Sequence, residues 1–337
     1  MPGPLRFEFP IYVPPEQMTH QQYNIFLRSY NAALQKKICI VLRDYLGEFQ
    51  DVPYAIVTTG SDGRKEKGPE SLVELISITS GTTFDRTLIS RLKRIVKDYS
   101  GRNLFDDYKD QLEHKDLRRI GTMSYYNENR NLPYPSRIID SELLYGPYDV
   151  HKNAINALAL EFLGDDGRRI RERTSDKRRE YRQLMVRGFQ RFKGEPVVQF
   201  DLEKGIAYYA PKIYRTGFKQ GPLRFIQFSI VDSLIQYVQE TGNSEILHDL
   251  PESTQDRFYY FQANNLTSIS SEILGILDDS YHFFLWMLHR QQYAYKERKE
   301  TELDFDPEEI RMRVQLLDKL LPQGVRLIKP SGRIIST

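Results

Sequence analysis

From about Ser136 to about Leu321 strand signals nearly vanish, and apolar residues recur every three or four positions in segment after segment. Chains patterned this way bury helix against helix, so the second half is expected to be a helical bundle. Candidate helices cover about Val150 to Leu163, Arg168 to Phe192, Leu223 to Gln239, Ser253 to Phe261, Ser268 to Tyr295 and Pro307 to Leu320, with turns at Gly164, Gly205, Gly217, Gly221 and Gly242. Before Ser136 the pattern is different. Tyr23, Phe26, Leu27, Tyr30, Leu34, Ile38, Val41, Leu42 and Tyr45 share one face of a long helix that Gly47 can end. Two short β-branched runs follow, Tyr54 to Thr59 and Leu72 to Ile78, then a helix from about Asp85 to Tyr99 and a strand near Leu117 to Tyr126. The expected class is α+β: an N-terminal extension and long helix over 1–50, a small mixed-sheet domain over 51–135, an all-α helical bundle over 136–325 and a C-terminal tail over 326–337.

Composition excludes several functions. The 337 residues contain no apolar run near the roughly 20 that span a bilayer, the longest being Phe283 to Leu288, so no membrane partner is expected. Met1 to Pro15 carries prolines at 2, 4, 10, 14 and 15 and no basic head with an apolar block, which predicts a cytoplasmic protein. Cys39 is the single cysteine, set in the apolar run Ile38 to Leu42, so there is neither a disulfide framework nor a zinc cluster. With 48 basic against 46 acidic residues, no general field for nucleic acid is implied.

The chemistry is concentrated between the two strand signals, in Gly60-Ser61-Asp62-Gly63-Arg64-Lys65-Glu66-Lys67-Gly68-Pro69-Glu70-Ser71. The element Gly60-Ser61-x-Gly63-Arg64-x-Glu66 resembles the phosphate-side loop of the polymerase-β-like nucleotidyltransferases. A glycine lets backbone approach a triphosphate and a serine hydroxyl can bond it. Further matches follow in order. Tyr209 to Ile213 with Gly217 to Gln227 is similar to the Asn-x-Lys-x-Gly-Pro-Gly-Gly-Leu-Arg-Asp-x-Gln segment of the PII-uridylyltransferases, Ile139 to Gly146 to their Leu-Leu-Asp-x-Arg-x-Leu-x-Gly, and Leu277 to Phe284 to their late Glu-Ala-Tyr-x-Phe-Leu helix. The matches cover roughly residues 50 to 320.

This resemblance implies a nucleotidyltransferase that binds a nucleoside triphosphate through Gly60, Ser61, Arg64, Ser71, Lys219 and Arg224 and passes UMP or AMP to a protein or small acceptor. Lys219 and Arg224 flank a glycine at a helix start, a place suited to phosphate, and are expected to face the same cleft as Ser61. In the family, paired carboxylates in Ser-Asp-x-Asp hold Mg²⁺. The corresponding residues are Ser71-Leu72-Val73-Glu74, and leucine cannot ligate a metal. The implied catalytic carboxylates are therefore Glu74 and Glu70, with Glu66 as a third candidate metal ligand; without a ligand, Glu66 and Glu70 read as surface loop charges. Alternatives are an inactive binding or regulatory module and an RNA-binding protein acting through the basic stretch 168–193, which otherwise reads as a solvated helix face. His282 and His289 read as packing residues, and no Ser-His-Asp or Cys-His arrangement is legible.

Overall fold

The computed structural model describes residues 11–47, 54–68, 75–79, 115–116, 134–192, 195–198, 200–210, 215–216, 218–267, 269–321 and 327–328. Helix α1, His20–Leu46, starts at Thr19, whose side chain accepts from Gln22 N while the Gln22 side chain accepts from Thr19 N, a reciprocal cap that satisfies two end donors. It ends where Gly47 takes φ +83°, a conformation favoured by glycine. Tyr23, Leu27, Leu34, Ile38, Leu42 and Leu46 form its buried stripe.

Strand β1, Tyr54–Thr58, is buried along its whole length. It pairs antiparallel with β2, Leu75–Thr79, in the register Ile56 to Ser77 and Val57 to Ile76. A single helical turn, α2, Gly60–Gly63, begins the connection between them. The sheet is completed by β3, Lys115–Asp116, parallel to β2, and by β4, Glu142–Tyr145, antiparallel to β1. It is thus a mixed sheet, as the sequence predicts. The expected helix 85–99, the strand 117–126 and residues 72–74 of the second strand lie outside the described residues.

Helices dominate from α3, Tyr134–Ile139, onward: α4, Tyr148–Leu163; α5, Gly167–Arg187; α6, Arg224–Thr241; α7, Ile246–Asp249; α8, Thr254–Ala263; α9, Ser271–Arg298; and α10, Pro307–Leu320. The second half is nevertheless not all-α. Helix α5 stops at Arg187, five residues short of its expected end, because Gly188 adopts a left-handed φ of +70° and caps it. Phe189–Phe192 then forms β5, a hairpin with β6, Glu195–Val198. A second small sheet joins β7, Phe200–Asp201, β8, Ile206–Ala210, β9, Arg215–Thr216, and β10, Glu302–Asp304. Gly221 is also not a turn. It lies in a π-helical segment, Lys219–Leu223, that runs directly into α6. A Cβ there would stand 3.1 Å from the Met185 Cα, so the glycine is what lets this segment touch α5.

One contiguous apolar core joins the sheet to the helices, from Tyr23, Ala55, Val57 and Ile78 through Phe225, Leu234 and Phe258 to Phe284 and Leu317. Among the described residues, no helix is long and apolar enough to cross a membrane.

Candidate functional site

Gly60 enters the turn after β1 with φ +66°, which favours glycine. Gly63 closes it against the backbone of Asp140, where a Cβ would collide with the carbonyl oxygen. Backbone bonds from Arg64 N to Gly60 O (3.1 Å) and from Glu66 N to Ser61 O (2.7 Å) tighten the loop. Gly60 and Ser61 remain half-buried at its tip.

The following residues run inward, and burial decides their partners. Arg64, 5% exposed, donates through Nε to Glu66 Oε2 (2.8 Å) and through Nη1 to Asp140 Oδ2 (2.6 Å). The other Asp140 oxygen accepts from Arg257 Nη1 (2.5 Å), and Arg257 also donates to the carbonyls of Pro251 (2.8 Å) and Ile139 (3.0 Å). Glu66 accepts further from the Tyr281 hydroxyl (2.6 Å) and from Thr254 N (3.3 Å). The Tyr281 oxygen in turn accepts from Gln227 Nε2 (2.8 Å) and Thr254 Oγ1 (3.2 Å). Two cations and two anions thus neutralise one another inside the protein, the condition under which buried charge is tolerated.

The pKa shifts follow from this arrangement. Burial alone would raise the Asp140 carboxyl, but Arg64 and Arg257 hold it below the ordinary carboxylate value. Burial would lower the Arg64 guanidinium, and Glu66 with Asp140 holds it well above its usual value. The Tyr281 phenol is raised by burial and by the Glu66 charge.

Glu66 is therefore corrected from a surface loop charge to a buried acid, 6% exposed, with protein donors on both oxygens. That commitment leaves it poorly suited to ligate a metal. Arg64 is likewise turned into the interior. Among the described residues, no group of three or more His, Cys, Asp or Glu side chains is arranged to hold an ion. Glu70, Ser71, Leu72 and Glu74 lie outside the described residues.

The loop continues into the helices. Asn31 on α1 brackets Lys67, accepting from its N–H (3.2 Å) and donating to its carbonyl (3.4 Å). Gly68 lies against the His289 ring, with no room for a Cβ. His289 is 1% exposed and shares a 2.7 Å hydrogen bond with the Tyr23 hydroxyl. Burial first, then the charges of Lys219 and Lys67, pushes its imidazole down to about 3. Lys219, at the start of the π-helical segment, is thus close enough to the end of the Gly60 loop to act on the same histidine. Arg224 is half-buried at the first position of α6. Beside the loop, Lys65 pairs with Glu252 and lies 3.8 Å from Glu142, which also accepts from Gln35. Burial, reinforced by Glu252 and opposed by Lys65, pushes Glu142 up to about 7.

The remaining candidates have structural explanations. His282 is buried 3.3 Å from Asp278 one helical turn away. The Cys39 thiol is half-buried and raised by burial. Ser141 and His151 approach to 2.7 Å, but the serine hydroxyl donates to Ile138 O, so the histidine serves as donor in that pair rather than as a base. Four of the nine basic residues of α5 pair locally, Arg168 with Glu172, Arg169 with Asp166, Lys177 with Glu180 and Arg179 with Asp176, and Arg182 pairs with Asp318 on α10. Arg178 is instead buried against Asp232.

Thr254 and Arg257 were not among the sequence candidates. With Phe258 and Phe261 they occupy one buried stripe of α8, so a charged residue on an apolar helical face was the available signal. No family model matches the chain, and no curated protein matches it.

Proposed function

We propose that this chain is a nucleotidyltransferase-like protein of the PII-uridylyltransferase type that binds a nucleoside triphosphate at the Gly60–Ser61 turn, with transfer of UMP or AMP weak or lost. One observation carries the reading. The four separate segments through which the sequence resembles that group meet in a single buried network: Arg64 and Glu66 from the loop, Asp140 from 139–146, Gln227 from 217–227 and Tyr281 from 277–284. Resemblance by accident gives no reason for such convergence.

In this reading Arg64 and Glu66 are positioning residues. They tie the loop to the helices and leave backbone and Ser61 to meet phosphate, with Lys219 and Arg224 supplying positive charge. Bound Mg²⁺ would neutralise phosphate charge. Leu72 removes one carboxylate that would hold it, and Glu74 with Glu70 retains the other part of the set. Loss of such a ligand lowers transfer by orders of magnitude while nucleotide affinity falls less.

Calorimetric titration of the intact chain with each nucleoside triphosphate, with Mg²⁺ or Mn²⁺, tests the binding. Saturable, metal-dependent heat for at least one nucleotide is expected, and none with any nucleotide would refute the proposal. A transfer assay with labelled nucleotides tests the chemistry. Leu72→Asp with Glu74→Asp should increase metal-dependent binding, whereas robust transfer by the unaltered chain, abolished in Glu74→Ala, would show that the site is not degenerate.

A further inference from the structure

Residues of α9, of β10 and of the start of α10 line an open cavity of about 400 Å³. Its floor is aromatic and apolar: Phe283 and Met287 are buried, while Trp286 and Phe305 are half-buried. The Arg290 guanidinium lies 4.6 Å from the centre of the Trp286 ring. Its Nε is buried and, among the described residues, has no hydrogen-bond partner, and Nη1 reaches only the Met287 sulfur at 3.6 Å. Glu16 attracts this guanidinium, yet its two oxygens are already engaged by Arg298 at 3.2 and 2.7 Å.

Three acidic residues, Asp304, Asp306 and Glu309, line the same cavity. Asp304 and Asp306 are exposed; Asp306 caps α10 with one oxygen, 3.0 Å from Glu308 N. Glu309 is held by Arg313 at 3.1 Å. Among the described residues, no ion pair joins Arg290 to any of these three carboxylates, although all line the same cavity. A partly buried cation and three carboxylates therefore share one open cavity with aromatic and apolar side chains.

This distribution selects its ligand. A simple anion would be repelled by the carboxylates and a simple amine by Arg290, and a neutral aromatic would leave both kinds of charge unmatched. A molecule with a carboxylate for Arg290, an ammonium for Asp304 and Asp306 and an apolar group for the floor satisfies all three surfaces. The volume of about 400 Å³ falls in the range of small-molecule sites. We propose that this cavity binds a free α-amino acid with an apolar side chain.

Trp286 is the single tryptophan of the chain, so indole fluorescence reports on this cavity alone. The full chain is titrated with L-leucine and L-phenylalanine, followed by fluorescence and by calorimetry. The controls are leucinamide, which lacks the carboxylate, and N-acetyl-leucine, which lacks the ammonium. Saturable binding of the two amino acids is expected, with affinity about tenfold or more lower for either control. Arg290→Gln should weaken leucine by a similar factor while leaving leucinamide unaffected. Asp304→Asn, at an exposed position of β10, should weaken leucine without affecting N-acetyl-leucine. Absence of both heat and fluorescence change at millimolar amino acid would overturn the proposal, as would equal affinity for the amino acids and both controls. Nucleotide titrations are independent of these outcomes.

Discussion

Asp140 is the residue on which the buried network turns, since it is the acid that both guanidiniums share. In Asp140→Asn, Arg64 and Arg257 would face a neutral amide in a space that excludes water. Breaking such a set costs about 3–5 kcal/mol, a loss that urea unfolding would register. Because its folded pKa is depressed, the Asp140 contribution is present above the ordinary carboxylate value and lost as pH falls through the lower folded value. Glu142 behaves oppositely. Its folded value of about 7 lies above the ordinary 4.5, so between those values the folded chain keeps a proton that the unfolded chain has released. Stability then falls as pH rises through this window. Glu142→Gln removes the effect, while Lys65 retains Glu252. Its stability relative to the parent should improve by about 2 kcal/mol between about pH 5 and about pH 8. A pH-independent difference between the two chains would contradict the assignment.

At the scale of elements, glycine has two opposite roles in the helices. Gly221 brings its segment against α5, and Gly221→Ala would place a methyl 3.1 Å from the Met185 Cα, between two backbones that cannot easily separate. A loss of about 1–3 kcal/mol is expected from such overpacking. Gly275 lies inside α9, where a Cβ would meet nothing within 4 Å. Gly275→Ala should therefore stabilise by about 0.5–1 kcal/mol through helix propensity. Thermal melts of the two variants should shift in opposite directions.

The legibility of each element follows from the same physics. Helices α1, α4, α6, α9 and α10 could be read because an apolar stripe repeats over three or more turns, and α10 begins and ends at the expected residues. The strands of 189–216 could not, because each is two to five residues long and β6 contains Pro196, so no alternation has room to develop. The end of α5 depended on Gly188, one residue among a continuous basic pattern.

For the whole molecule, the sequence marks the four segments that matter but not how they meet. Arg64 and Asp140 are 76 residues apart, and Tyr281 is 215 residues from Glu66. Nothing local encodes those pairings. The local pattern instead made Glu66 look like a solvated charge, because a loop rich in glycine and lysine is usually exposed. Only the packing of α8 and α9 over the loop turns it inward. The shared core and the shared network together predict that sheet and helices unfold as one unit, so Trp286 fluorescence and backbone circular dichroism should give coincident denaturation curves. The claim that most needs testing is that the Gly60 loop, held by these helices, is where a nucleoside triphosphate sits. Photocrosslinking of the intact chain with azido-substituted ATP and UTP, followed by peptide mapping, tests it directly. Label is expected within the peptide carrying Gly60 to Gly68 or on Lys219, suppressed by excess unmodified nucleotide. Competable label confined to other peptides, such as those lining the cavity at Trp286 and Arg290, would contradict it.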